Sequence, residues 1–174
     1  AYLIIPLIKI FELNILAVRL PSAIFGILTV IATYFLVMEL FRGKKYVDNF
    51  AFASSFLLAI SPWHIQFSRI AFESNVGLAF NVFSLLFFLK GLRSPKYLLL
   101  SFFIGSINLY MYQSEKVFVP LLFFLLIIIY RKQIFKASKK NLLGSMLIAI
   151  LVAIPMLVSL SVNQNALLRA KGVS

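Results

Sequence analysis

These 174 residues contain no cysteine, which removes disulfides, thiolate catalysis and zinc sites built on thiolates. Acidic groups are scarce: 5 Asp and Glu stand against 17 Lys and Arg, for a formal net charge of +12. With a single histidine and scattered carboxylates there is no cluster of metal ligands, so the sequence calls for no cofactor and leaves a divalent metal open. No Gly-rich phosphate loop, internal repeat or low-complexity linker is present. Alternation of apolar and polar residues with a period of two is also lacking, which argues against a transmembrane barrel. The chain begins at Ala1 with no Met and no basic region ahead of an apolar stretch. It therefore does not open as a signal peptide does, and reads as a piece of a longer protein.

What the chain has in excess is hydrocarbon. It is 62% hydrophobic with a mean hydropathy of +1.01 and 19 Phe, more than a soluble core of this size can hide. It is read as an integral membrane protein whose spans are helices, because only helices or closed barrels satisfy the backbone in lipid. Candidate spans run from Pro21 to Phe41, Asn49 to Trp63, Phe72 to Leu89, Tyr97 to Tyr112, Val117 to Tyr130 and Leu142 to Ser161. The expected fold is all-α: a polytopic transmembrane helix bundle of about six spans in one domain, 1–174. The second, fourth and fifth spans are short, so Tyr and Trp at their ends are expected at the interface.

Charge placement tests the division at "YQSEK", residues 112–116. Three connections are basic: Arg42, Lys44 and Lys45 in the first, Lys90, Arg93 and Lys96 in the second, and Arg131, Lys132, Lys136, Lys139 and Lys140 in the third. The alternate connections are nearly neutral, Arg69 offsetting Glu73 and Lys116 offsetting Glu115. Six spans put all three basic loops on one side, as cytoplasmic loops require, whereas joining the fourth and fifth would separate them. The same clustering accounts for the net charge through anionic lipid headgroups. Nucleic-acid binding would need a basic soluble face that the chain lacks. The N-terminal "AYLIIPLIKIFELNILAVR" is broken by Pro6, Lys9, Glu12 and Asn14 and suits an interfacial segment on the outer face. The "VNQNALLRAKGVS" tail would leave the sixth helix on that same side.

The densest polar stretch is "SPWHIQFSRIAFESN", residues 61–75. Ser61 followed by Pro62 has the form of an N-cap and first helical residue, so a short helix is expected at the outer surface. On it Arg69 and Glu73, four apart, would share a face, with His64 about one and a half turns earlier. Ionisable groups at a membrane boundary are costly unless paired or used.

Three blocks in order, "VRLPSAIFGILTVIATYFLVMELF" (18–41), "AISPWHIQFSRIAFESN" (59–75) and "YMYQSEKVFVPLL" (110–122), resemble polyprenyl-phosphate-sugar-dependent membrane glycosyltransferases. These are of the GT-C class, specifically the dolichyl-phosphate-mannose protein mannosyltransferase and aminoarabinose transferase group, glycosyltransferase family 39 type. The resemblance covers about Tyr2 to Pro155. It implies a multi-pass enzyme of the plasma membrane or endoplasmic reticulum with an extracytoplasmic active face. Such an enzyme transfers a sugar from a lipid-linked phosphate to a protein, lipid or glycan acceptor. The family's main catalytic carboxylate lies in the first outer loop, which would precede Ala1, so the chain would be a fragment lacking the first helix and catalytic loop. Arg19 matches the arginine ending that loop. Arg69 and Glu73 match an Arg-x-x-x-acid pattern, with Glu where Asp is common. Lys116, beside Tyr112 and Gln113, stands where a basic phosphate-contacting residue is frequent.

Chemistry gives these residues independent reasons. Sugar transfer from a lipid phosphate needs a carboxylate to take the acceptor's proton and cations to hold the leaving phosphate. The expected mechanism is an inverting transfer in which Arg19, Arg69 and Lys116 hold polyprenyl phosphate and Glu73 assists the base, with His64, Tyr112 and Gln113 as further substrate contacts. Plainer readings stand beside these. Arg69 and Glu73 read equally as a surface ion pair, worth under about 1 kcal/mol. His64 reads as a capping or headgroup-level residue, and Lys116 as a cation snorkelling beside Glu115. Glu39 is assigned a structural role, and Trp63, Tyr112 and Tyr130 the interfacial belt. The alternative function is a non-catalytic membrane module that binds or transports a lipid-phosphate or other solute, hinted at by Ser106, Asn108 and Pro155 within spans.

Overall fold

The computed structural model describes residues 14–70, 72–137 and 139–162, with Ile5, Lys9 and Glu12. The expected interfacial segment at the N-terminus falls mostly outside the described residues, and the tail beyond 162 wholly so. Among the described residues there are seven helices and no strand: α1 (Ile15–Leu40), α2 (Val47–Ile60), α3 (Pro62–Arg69), α4 (Glu73–Gly91), α5 (Lys96–Asn108), α6 (Glu115–Ala137) and α7 (Lys139–Val162). The all-α expectation holds, and the chain does break at residues 109–114, where the fourth and fifth spans were divided.

Against the six expected spans, the described residues hold three to four by length and composition. Three helical stretches, Ala17–Leu40, Glu73–Gly91 and Glu115–Ile134, are long and apolar enough to cross a membrane, and a fourth is reached if α2 and α3, bent by 57°, count as one broken span. α2 has 14 residues and α5 has 13. At 1.5 Å per residue each reaches about 20 Å, short of the roughly 30 Å hydrocarbon layer.

The chain forms two compact units, Ala1–Leu89 and Lys90–Ser174. In the first, α1 packs against α2 and α3. Its long apolar side chains, Ile24, Ile27, Ile31 and Phe35, face outward, while Ala17, Ser22, Thr29 and Ala32 are buried. That distribution inverts the soluble pattern. It suits lipid, where large apolar groups gain nothing by leaving the solvent and small residues let helix backbones approach. Thr29 and Thr33 satisfy their hydroxyls on the carbonyls of Phe25 and Thr29, four residues back, so they add no unpaired polar group. After α1 the chain reverses through Gly43 (φ 79°) and Tyr46 (φ 64°). There Arg42 pairs with Glu39 at 3.7 Å, the structural role expected for Glu39.

α3 begins at Pro62 as its first residue, with Ser61 in the N-cap position but making no side-chain cap bond. Proline explains the start without that bond, since its missing N–H removes one orphan donor and its φ is already helical. α3 passes close to α1 at Gly26, where a Cβ would stand 2.3 Å from Ser68 Oγ and 2.7 Å from Ser68 Cβ. α4 joins this unit through Phe80, whose ring lies 5.6 Å from that of Phe25.

In the second unit α5 packs chiefly on α7. Leu98, Ser101, Phe102, Gly105, Ser106 and Asn108 form its buried face, at the three- and four-residue spacing of one helix side. The Phe102 ring meets Phe123 of α6 at 4.4 Å. The Tyr110 hydroxyl donates to the carbonyl of Val152, one residue beyond the carbonyl of Leu151 that Pro155 deprives of its helical partner.

Gly26→Ala should therefore push α3 off α1 and lower stability by about 1–3 kcal/mol, read as a fall in thermal unfolding temperature in detergent. Adding Ser68→Gly in the same chain should restore most of the loss. An unchanged melting temperature for Gly26→Ala alone would show that the two helices do not meet there.

Candidate functional site

Two polar contacts fix how α3 lies on α1. Ser22 Oγ donates to the carbonyl of Phe67 at 3.0 Å, and His64 Nε2 lies 3.1 Å from the carbonyl of Gly26. The later residue of α1 meets the earlier residue of α3, so the helices pass in opposite senses. The start of α1 and the end of α3 thus lie at the same end, and Arg19 and Arg69 come with them.

Between α1, α2 and α3 is a cavity of about 600 Å³. Arg19, Arg69 and His64 border it together with Ile27, Val30, Ile31 and Ala59. Along α1 it runs from Arg19 to Ile31, about 18 Å at 1.5 Å per residue. Its character changes along that length. The two arginines, both exposed, mark one end, His64, with only 8% of its surface exposed, and Ser68 stand at the level of Gly26, and beyond them Ile27, Val30, Ile31 and Ala59 are hydrocarbon. A cavity cationic at one end and apolar at the other is complementary to an anionic amphiphile.

The structure thus brings together three expected site residues, Arg19, His64 and Arg69. It separates Glu73 from the helix of Arg69: α3 stops at Arg69, Ile70 is extended (φ −93°, ψ 146°), and Glu73 opens α4. The shared helical face expected for Arg69 and Glu73 is therefore corrected, because an i, i+4 relation needs a continuous helix. The rings of Phe67 and Phe72, 5.4 Å apart, pack across the break. His64 is not the capping group considered for it, since it sits inside α3 and bonds the backbone of α1. Trp63, 75% exposed and stacked on Phe67 at 6.2 Å, fits the interfacial belt.

Tyr112, Gln113 and Lys116 lie in the second unit. Tyr112 and Gln113 are exposed on the turn between α5 and α6, and Lys116 is half-buried in the first turn of α6. The Glu115 carboxylate beside it is buried and accepts a bond from the side-chain amide of Asn108 at 3.1 Å. Ser106 donates to the carbonyl of Phe102 at 2.7 Å. The polar groups that hinted at transport thus have partners within the fold. Among the described residues no group of three His, Cys, Asp or Glu could hold a metal ion.

Asn75 was not singled out from sequence. It is 2% exposed, and its amide donates to the Ser22 carbonyl at 2.9 Å and to Ser22 Oγ at 3.2 Å. Ser22 in turn reaches Phe67, so one small residue joins α1, α3 and α4. A signal existed in the spacing of Ser22, Gly26, Thr29 and Thr33, a stripe of small residues at intervals of four, three and four. Such stripes mark close helix contacts in membranes.

A profile of the dolichyl-phosphate-mannose-protein mannosyltransferases matches residues 1–158. The chain belongs to this family. No curated protein and no solved structure matches it. As a dolichyl-phosphate-mannose-protein mannosyltransferase family member it is an integral membrane glycosyltransferase of the mannosyltransferase type, and its helical fold agrees with the GT-C class.

Asn75→Ala should cost about 0.5–2 kcal/mol through its two bonds to Ser22. Asn75→Asp should cost more, since a carboxylate cannot donate to the Ser22 carbonyl. Thermal unfolding of the purified protein in detergent ranks the two, and equal stability of wild type and both variants would refute the three-helix junction.

Proposed function

We propose that the protein transfers a sugar from a polyprenyl-phosphate-linked donor to a protein, lipid or glycan acceptor on the extracytoplasmic face of the plasma membrane or endoplasmic reticulum. The family's description supports mannose as the sugar of this reading. The chain crosses the membrane several times, with the basic connections around Arg42–Lys45, Lys90–Lys96 and 131–140 on the cytoplasmic side. The observation that carries this reading is the convergence of Arg19, Arg69 and His64 on one cavity whose other end is hydrocarbon.

The donor is an amphiphile with a single anionic phosphate between an isoprenyl chain and a sugar. Guanidinium groups grip phosphate oxygens in pairs of parallel hydrogen bonds, so Arg19 and Arg69 hold the phosphate at the cationic end. Ile27, Val30, Ile31 and Ala59 receive the isoprenyl units next to it. This leaves the sugar directed away from the apolar end. The acceptor hydroxyl or amine gives its proton to a carboxylate and attacks the anomeric carbon, the bond from that carbon to the phosphate oxygen breaks, and configuration inverts. The leaving phosphate gains a negative charge, which the two guanidinium groups stabilise more strongly than they do the diester. Glu73, exposed at the start of α4, assists the base.

Arg19→Ala and Arg69→Ala in the full-length protein should each lower mannose transfer from dolichyl-phosphate-mannose by about 100-fold. The corresponding Lys variants should recover part of it, having the charge without the planar fork. Glu73→Gln should give a smaller loss. Radiolabel transfer in isolated membranes measures all of these, and unchanged rates in both Arg→Ala variants would remove the cavity from the catalytic site.

A further inference from the structure

His64 has an asymmetry that the phosphate reading leaves unused. Its Nε2 faces the Gly26 carbonyl at 3.1 Å, and a carbonyl oxygen can only accept. Nε2 therefore carries the proton in the neutral ring, and Nδ1 holds a lone pair. Among the described residues Nδ1 has no hydrogen-bond partner, and the ring borders the cavity. An imidazole whose far nitrogen is pinned to a backbone carbonyl keeps its other nitrogen in a fixed place and a fixed tautomer.

The charged groups around this ring are few. α1 contributes Arg19 and α3 itself contributes Arg69, while α2 borders the cavity through Ala59. α4 brings Asn75 close to Gly26, and its titratable residue Glu73 is exposed and does not border the cavity. The empty cavity thus carries the positive field of its two guanidinium groups. A phosphate held by the two guanidinium groups reverses that field. It also offers an oxygen that needs a donor, whereas a bare lone pair on Nδ1 would repel it.

We propose that His64 binds the lipid phosphate as a third, proton-linked ligand: Nδ1 takes one proton from water as the phosphodiester enters and donates it as a hydrogen bond to a phosphate oxygen. No covalent bond changes in this step. The same imidazolium then faces the phosphate monoester that leaves after transfer, when the charge to be stabilised is larger. The inference rests on the reading of the cavity as the lipid-phosphate site, and it makes donor affinity depend on pH through one side chain. His64 is the only histidine of these 174 residues, which also lack cysteine, so no other side chain of the chain ordinarily titrates near neutral pH.

The test is calorimetric titration of the full-length protein in detergent with dolichyl-phosphate-mannose, in buffers of different ionisation enthalpy at about pH 7.5. This phosphodiester has no proton of its own to exchange there, so measured uptake belongs to the protein. The expected result is uptake of about half a proton or more per lipid, with Kd weakening by about three- to tenfold per pH unit above neutrality. His64→Gln, which can still reach the Gly26 carbonyl, should bind about tenfold more weakly at pH 6.5, with no proton uptake from this position and a flat pH profile. Binding by wild type without proton uptake, or uptake that persists in His64→Gln, overturns the proposal and leaves the phosphate site standing. Failure of wild type to bind the lipid at all overturns the phosphate site and the proposal together. A measurement without substitution is available in ¹⁵N-histidine NMR: the His64 signals should shift from the neutral Nε2–H tautomer to the imidazolium when lipid is added. A neutral ring in the complex would also overturn it.

Discussion

The contact of α3 with α1 at Gly26 sets the geometry on which the candidate site depends. Without a Cβ at Gly26, the short helix lies close enough for His64 to reach the Gly26 carbonyl and for Ser22 to reach that of Phe67. In water such a helix would be held by burying a greasy face. In lipid that force is absent between helices, because the surrounding tails are as apolar as leucine. Close backbone approach and hydrogen bonds between neighbouring helices take its place, and both demand small residues where the helices touch.

The same constraint organises the rest of each unit. Serine, threonine and asparagine are buried at Ser22, Thr29, Ser55, Asn75, Ser84, Ser101, Asn108 and Ser145, while Ile, Leu and Phe make the outer surface of α1, α2 and α6. The long hydrocarbon side chains serve as solvent-facing groups in a solvent of hydrocarbon. A buried polar group in such a place is costly without a partner. The fold supplies partners: the backbone for Thr29, Thr33 and Ser106, Ser22 for Asn75, and Glu115 for Asn108. Ser68 Oγ and Asn75 Oδ1 are among the three side-chain atoms enclosed without a hydrogen bond among the described residues, and both residues belong to the junction around Gly26.

This arrangement also explains how a cationic end and an apolar end come to share one cavity. Arg19 stands one turn into α1 and Arg69 at the last turn of α3, where a guanidinium group can stay at the polar boundary while the aliphatic stem covers hydrocarbon. Deeper along α1, Ile27, Val30 and Ile31 border the space. Two helices crossing in opposite senses thus give one cavity both characters.

The sequence by itself determined that the chain is helical and lipid-facing, because runs such as Ile24 to Leu40 carry no alternation and too much hydrocarbon for a soluble core. It fixed the start of α3 at Pro62, because proline's own geometry enforces it, and the family, because three blocks of residues keep their order. It did not determine that α3 ends at Arg69. No glycine or proline marks Ile70 to Phe72, and the break coincides with packing of Phe67 on Phe72 and anchoring of Asn75 on Ser22, the latter a contact between residues 53 apart. Nor could periodicity tell that Arg19 and Arg69 border one cavity, that Glu73 belongs to another helix, or which nitrogen of His64 is tied down. Those outcomes depend on which surfaces meet across α1, α3 and α4, and long-range pairing is decided by the tertiary fold.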